Sequence, residues 1–293
     1  MASTKQEVLY FAPASLEAAL ELLDQHAGKL NVLAGGTDLV RDMNLKFKVP
    51  PGFMWIGKIG LEYVERQNGH LRVGAATRMQ TAGSSEVLRQ QGAAVARAAG
   101  KLASPPVRSL ATLGGNLVNA SPGADTACAL LGLGAEVVLT SKGGSRTVLL
   151  EAFFTGPGET VIKPNELMTE IVFKPTGKGQ GSAYAKVGRR QAMTLAVLNA
   201  AARVELDGDG KCSDVRIAVG AAAPTPLRAV EAETLLRGQP WTEEAIEAAA
   251  AKAAEEIKPI DDVHGTAWYR RKLARVLVGR TLREAGEIAQ GAR

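Results

Sequence analysis

Two glycine pairs, Gly35-Gly36 and Gly114-Gly115, constrain the fold of this chain more than any other feature. Glycine tolerates positive φ and lets another backbone approach closely, which residues with a Cβ resist. In Val32-Leu33-Ala34-Gly35-Gly36-Thr37-Asp38-Leu39 an apolar strand, Leu30–Leu33, stops at the first pair, and a helix is expected to begin at Thr37 or Asp38. Successive amides in such a turn converge into an anion nest, and the helix start adds free N–H groups and its positive dipole end. An ordinary strand–helix turn fits the same residues, with Asp38 as a helix cap. The second pair lies in Thr112-Leu113-Gly114-Gly115-Asn116-Leu117-Val118-Asn119-Ala120-Ser121-Pro122-Gly123-Ala124-Asp125, a run of small, hydroxyl, amide and carboxylate residues. That run suits close backbone approach to a polyhydroxylated ligand; a long surface loop with Asx-turns is the alternative.

Around these segments the pattern alternates. Ser15–His26 reads as an amphipathic helix with Ser15 as N-cap and Gly28 beyond its end. Phe53–Ile56 and Leu71–Val73 read as strands, the latter led in by an Asn68-Gly69 turn. Glu86–Leu102 reads as one Ala-rich helix stopped by Pro105-Pro106, and Ala124–Leu133 as an apolar helix. Ala135–Thr140 and Arg146–Leu150 make a hairpin across Lys142–Ser145. Pro175–Gly181 resembles a connector between two α+β lobes. Beyond it come a strand (Ala183–Val187), a helix (Met193–Ala200), strands Ala202–Leu206 and Val215–Val219, and helices Thr242–Glu256 and Ala267–Ala285.

Scarcity excludes whole classes of chemistry. With two cysteines, Cys128 on an apolar helix and Cys212 in a turn, and three dispersed histidines, the 293-residue chain offers no ligand set for an iron–sulfur cluster or a conventional zinc site. Neither cysteine is expected to be reactive, and His70 and His264 have no neighbouring nucleophile in sequence. Unpatterned cysteines fit a reducing compartment. No apolar run is long enough to span a bilayer, and Met1–Tyr10 lacks the apolar core of a secretory signal, so the cytoplasm is expected. The net charge of +5 is mild and its basic residues are scattered except near Tyr269–Arg275, giving no nucleic-acid platform. That basic run reads as part of a helix closing its own core. No Gly-Lys pair is followed by Ser or Thr, so there is no P-loop. Gly132-Leu133-Gly134 lacks the third glycine of a dinucleotide fingerprint and sits between helix and strand, the reverse of the required order.

Taken together, Ala34–Leu39 and Thr112–Asn116 with the Ala120-Ser121-Pro122…Asp125 continuation resemble the two FAD-binding motifs of the flavoprotein (medium) subunit of molybdenum hydroxylases. This is the family of the carbon monoxide dehydrogenase medium subunit and the xanthine dehydrogenase FAD domain. Further matching blocks follow in family order: Ser104–Arg108, Tyr184–Arg190, Ala222–Arg228, Pro259–Asp262 and Trp268–Arg271. The resemblance implies an α+β fold: a vanillyl-alcohol-oxidase (PCMH-type) FAD-binding domain of two subdomains over residues 1–176, and a smaller α+β C-terminal domain of the CO dehydrogenase flavoprotein type over 182–287. It implies non-covalent FAD, with Val32, Leu33, Ala34, Gly35, Gly36, Thr37, Asp38 and Leu39 cradling the diphosphate. Thr112, Gly114, Gly115, Asn116, Asn119, Ser121 and Asp125 would contact the diphosphate, ribityl chain or ring, and Leu102 and Ala103 would also border the cofactor. Met168 would border the flavin and Lys186 would reach it. A cation at the pyrimidine edge favours the reduced, anionic flavin; read without the family, Lys186 is a solvated strand lysine.

The implied partners are a large molybdopterin-binding subunit and a small subunit carrying 2Fe–2S clusters, in a dimer of heterotrimers, with NAD⁺, a quinone or O₂ as external acceptor. An FAD-free scaffold subunit of the same complex and a self-sufficient FAD oxidase are the alternatives. Two departures stand out. Ala192-Met193 replaces an acidic–aromatic pair that some members carry near the flavin, and the chain lacks the cysteine-bearing insertion of hydroxybenzoyl-CoA reductases.

Overall fold

The computed structural model describes residues 8–45 and 50–291; of the leading stretch Met1–Tyr10, positions 1–7 lie outside the described residues. Three larger sheets and one two-stranded pair organise the described residues. The first is parallel, with β1 (Leu9–Phe11), β2 (Asn31–Leu33) and β3 (Gly52–Trp55) in the order β1-β3-β2. Two helices connect them, α1 (Leu16–Gln25) and α2 (Leu39–Asn44). Ser15 caps α1 as the sequence reads, its Oγ accepting from the Ala18 amide at 3.2 Å. α2 begins one residue later than expected, at Leu39. Asp38 holds the N-cap position but makes no capping bond.

The second sheet is antiparallel. It comprises β4 (Val64–Gln67), β5 (His70–Gly74), β6 (Glu136–Ser141), β7 (Gly144–Leu149) and, after the short pair β8 (Phe154–Gly156) and β9 (Glu159–Thr160), β10 (Leu167–Phe173), in the order β4-β5-β10-β6-β7. Between β5 and β6 run α3 (Met79–Ser84), α4 (Glu86–Gln91), α5 (Ala93–Lys101), α6 (Pro105–Arg108), α7 (Leu113–Val118) and α8 (Asp125–Gly132). Two of these correct the sequence reading. The single helix expected over Glu86–Leu102 is split at Gly92, whose φ of −158° leaves the helical region. The run Thr112–Asp125, read without a helix before Ala124, contains α7, nucleated where Thr112 Oγ1 accepts from the Gly115 amide at 3.1 Å.

The third sheet, also antiparallel, consists of β11 (Gln180–Gly188), β12 (Ala196–Leu206), β13 (Cys212–Gly220) and β14 (Leu227–Arg228), and is followed by α9 (Val230–Leu236), α10 (Glu243–Glu256) and α11 (Ala267–Ala289). The helix expected at Met193–Ala200 is instead the start of β12, which is buried continuously from Ala196 to Val204. Its side chains alternate between two cores. Leu198, Ala200, Ala202 and Val204 pack with α10 and α11, whereas Ala201 joins Tyr184, Ala218 and the helices α5 and α8. A strand covered on both faces shows no polar alternation, so its apolar run cannot be told from a buried helix by periodicity. The basic run Tyr269–Arg275 lies on α11, whose inner face carries Ala274, Leu277 and Val278 into the core, as expected. Within it Arg270 is buried, donating to the Val197 carbonyl and pairing with Asp262.

Cys212 begins β13 rather than occupying a turn, and both thiols are buried. Burial, then the Asp214 carboxylate, pushes the Cys212 thiol up to about 12; burial and Asp125 push Cys128 further in the same direction. A raised thiol pKa means that thiolate is scarce until the pH approaches that value. At pH 8, Ellman's reagent is therefore expected to label neither cysteine in the native chain and both in guanidinium chloride; rapid native labelling of either would contradict the burial.

Candidate functional site

The two glycine segments meet. A Cβ on Gly35 would lie 2.0 Å from the Leu110 carbonyl oxygen, and one on Gly114 would lie 2.7 Å from Ala75, so side chains are excluded at both by close backbone approach. Gly36 has φ +71°, which continues the turn into α2. The result is one wall of a cleft of about 520 Å³, lined by Val32, Leu33, Ala34, Gly35, Gly36, Thr37, Asp38 and Leu39 from the first segment and by Thr112, Gly114, Gly115, Asn116 and Asn119 from the second. Met168, on β10, lines it as well. Leu102, Ala103, Ser121, Asp125 and Lys186 do not.

The rest of the lining escaped sequence reasoning. It includes Gly158, Ile162, Lys163, Pro164, Glu166 and Leu167, with the apolar Leu23, Leu30 and Ile56. No motif marks these residues. They are held in place by Arg146, which donates to both oxygens of the Glu166 carboxylate at 2.7 and 2.8 Å and to the Val161 carbonyl at 2.8 Å. That pairing, with the Lys163 amide, keeps Glu166 below the usual carboxylate range despite its burial.

The two segments differ in what they offer a ligand. Among the described residues, the amides of Gly35, Gly36, Thr37 and Asp38 donate to no protein acceptor. In the second segment the amides of Leu113, Gly114, Gly115 and Asn116 are all taken, by Thr77 O, Ala75 O, Thr112 Oγ1 and Thr112 O. The first is thus an open cradle of four donors suited to an anion such as a diphosphate. With only six residues, α2 contributes little dipole, so the amides carry the cradle. The second segment presents side chains: Asn116 Oδ1 accepts from Thr126 Oγ1 at 2.6 Å, and its NH₂ has no protein acceptor among the described residues.

Of the five non-glycine residues with positive φ, Ala103, Ala120, Met193 and Ala221 are each tied by a backbone hydrogen bond, and Ala120 is bonded to the cleft residue Gly158. The Met193 amide donates to Ala103 O at 3.3 Å, Gly158 to Ala120 O at 3.0 Å, and Ala221 to Pro122 O at 2.7 Å. Such conformations cost of order 1–3 kcal/mol each and concentrate where a site is over-determined by its surroundings. They place the Leu102–Ala103 turn beside the loop after β11, which the cleft lining alone does not reveal. No group of three or more His, Cys, Asp or Glu arranged for a metal occurs among the described residues.

Residues 4–175 match the family described as the FAD binding domain in molybdopterin dehydrogenase, and residues 182–285 match the CO dehydrogenase flavoprotein C-terminal domain. The chain belongs to this family of flavoprotein subunits. It is 33% identical to the carbon monoxide dehydrogenase medium chain of Hydrogenophaga pseudoflava, covering 94% of this chain and 96% of that one. It is 31% identical to the xanthine dehydrogenase FAD-binding subunit of Escherichia coli O157:H7, over 96% and 97%. A carbon monoxide dehydrogenase structure from H. pseudoflava superposes with a TM-score of 0.91 at 34% identity, covering 95% of this chain and 97% of that one. The expected fold, an FAD-binding domain followed by a CO dehydrogenase flavoprotein C-terminal domain, is therefore met, and the chain is an oxidoreductase subunit of the molybdenum hydroxylase type.

The close approach at Gly35 gives a direct test. Gly35→Ala is expected to push the Leu110 carbonyl out of the wall, lowering stability in urea by about 1–3 kcal/mol and abolishing FAD retention. Gly143→Ala, where a Cβ meets only Ser141 Oγ at 3.7 Å, is expected to leave stability within about 0.5 kcal/mol of the parent and flavin content unchanged.

Proposed function

We propose that this chain is the FAD-binding electron-transfer subunit of a heteromeric molybdenum hydroxylase. In this reading it takes electrons from the 2Fe–2S clusters of a small partner subunit and passes them to an external acceptor such as NAD⁺, a quinone or O₂. The observation that carries the reading is the cradle of four amides at Gly35–Asp38 that have no protein acceptor among the described residues, in a cleft lined also by the hydroxyl and amide side chains of Thr112, Asn116 and Asn119 and by apolar residues such as Leu30, Ile56 and Met168. Bound there, the flavin supplies the redox chemistry, accepting electrons singly and releasing them in pairs. The protein binds, orients and tunes it.

The residues divide by what they offer. The amides of Gly35–Asp38 hold the diphosphate. Thr112, Asn116 and Asn119 take the ribityl chain and ring, and Met168 packs beside the isoalloxazine. Leu102 and Ala103 border the ring from the left-handed turn that Met193 braces. Lys186 approaches its pyrimidine edge. Ser121 and Asp125, expected to contact the cofactor, lie outside the lining of the cleft. The FAD-binding domain covers residues 1–176 and the C-terminal domain 182–287, with Pro175–Gly181 between them.

Relatives named for carbon monoxide and for xanthine share this subunit type; substrate choice accordingly belongs to the large molybdopterin-binding subunit. The assembly is a dimer of heterotrimers. Among the described residues no helix is long and apolar enough to cross a membrane, and the proposed location is the cytoplasm.

Purified full-length chain supplied with FAD is expected to show flavin absorption that is released on denaturation, because attachment is non-covalent. A reduced 2Fe–2S partner is expected to bleach those bands, whereas small alcohols or purines alone are not. A folded chain without affinity for FAD would instead indicate a scaffold subunit, and bleaching by a small substrate without a partner would indicate a self-sufficient oxidase. Lys186→Met is expected to lower the flavin midpoint potential, since it removes a cation that favours the anionic reduced form.

A further inference from the structure

Among the ion pairs of the described residues, Lys186–Asp125 is the one in which both side chains are less than a tenth exposed, at 6% and 7%. It joins the two halves of the chain: Asp125 opens α8, and Lys186 lies on β11. Lys186 Nζ donates to Asp125 Oδ2 at 2.6 Å. The other carboxylate oxygen accepts from Tyr184 Oη at 2.5 Å and from Asn199 Nδ2 at 3.3 Å. Tyr184 and Lys186 stand two apart on one strand and so share a face, and Asn199 lies directly opposite Lys186 on β12. Burial, then the Asp125 charge, pushes the Tyr184 phenol well above its ordinary value, so the hydroxyl keeps its proton and donates it. Asn199 Nδ2 also donates to Gly123 O at 3.3 Å, and Gly220 makes room for the amide, since a Cβ there would lie 2.2 Å from Asn199 Oδ1.

Two features of this cluster leave hydrogen-bonding capacity unmet. An ammonium has three donors; Asp125 takes one, and among the described residues the other two meet no protein acceptor although the side chain is buried. Asn199 Oδ1 is likewise buried without a donor. The cluster adjoins the cleft through Thr126, next in sequence to Asp125, whose hydroxyl bonds the cleft residue Asn116.

We infer that Asp125, locked by Tyr184 and Asn199, is a positioning residue: it fixes the Lys186 ammonium so that its two remaining donors are held toward the acceptor-rich edge of the flavin. This rests on the proposed function, which supplies the flavin. Position here matters more than net charge. An ammonium free to swing into solvent loses its influence on the ring, so removing the carboxylate has the same sign as removing the lysine.

A double-mutant cycle read by potential tests the assignment, using full-length chain loaded with FAD. Asp125→Asn and Tyr184→Phe, both nearly isosteric, are each compared alone and combined with Lys186→Met, after thermal melts confirm folding. Asp125→Asn is expected to shift the midpoint potential downward, as Lys186→Met does, by about tenfold in the ratio of reduced to oxidised FAD affinity, or about 30 mV for a two-electron couple. In the Lys186→Met background the same change is expected to move it less than twofold, because Asp125 acts through the lysine. Tyr184→Phe is expected to shift it in the same direction by a smaller amount, with the same non-additivity. Additive shifts, an upward shift for Asp125→Asn, or no shift in either variant would overturn the positioning role while leaving the FAD reading intact. Failure of the unsubstituted chain to bind FAD would remove the proposed function itself.

Discussion

Everything near the cleft depends on β12 being buried on both faces. A central strand with a helix layer on each side can be almost wholly apolar, and Ala196–Val204 nearly is. Small residues dominate it: alanines at 196, 200, 201 and 202 let α8 and α11 approach closely from opposite sides. Two residues interrupt it: Arg203, paired with Glu205 and Asp214, and Asn199. A polar amide at the centre of such a strand is costly unless it finds partners; Asn199 Nδ2 finds two, Asp125 and Gly123 O, on the segment that carries the second glycine pair, whereas Oδ1 has none among the described residues. The strand that joins the two cores is therefore also what ties the C-terminal sheet to the cleft wall.

The buried ion pair on that tie is not readily explained as a stabilising device. Desolvating two charges costs several kcal/mol per ion, and apolar replacements of similar volume are often neutral or better. What the pair does secure is geometry: with both Asp125 oxygens engaged, rotating the carboxylate breaks contacts with three residues at once. Breaking such a pair from one side typically costs about 3–5 kcal/mol, because the remaining charge stays buried. That cost holds the arrangement in place whether or not a ligand is present.

Legibility in the sequence followed how local each cause was. The Ser15 cap, the Asn68-Gly69 turn between β4 and β5 and the hairpin β6–β7 are each decided by a few neighbouring residues, and each forms as read. The glycine segments were legible too, since a Gly-Gly pair after an apolar strand advertises close approach. Their partners were not: nothing near Gly35 announces that the Leu110 carbonyl will press against it, and nothing near Arg146 announces that it will brace the Ile162–Leu167 wall. α7 was hidden because glycine and asparagine are poor helix formers, and six residues suffice once Thr112 caps them and Ala75 and Thr77 accept their amides. The helix expected at Met193–Ala200 failed for the opposite reason: its burial comes from α8 and α11, both distant in sequence.

The division of labour between the two glycine segments follows from the same accounting of amides. Both were read as backbone that approaches a ligand, yet only the first leaves its N–H groups free. In the second, every early amide is consumed by the protein, and glycine is needed there for packing against Ala75 rather than for binding. A motif of identical appearance thus has two physical meanings, separable only once the acceptors are known. It follows that alanine at Gly114 and alanine at Gly36 fail for different reasons: the first by forcing α7 off Ala75, the second by straining a φ of +71° that shapes the cradle itself.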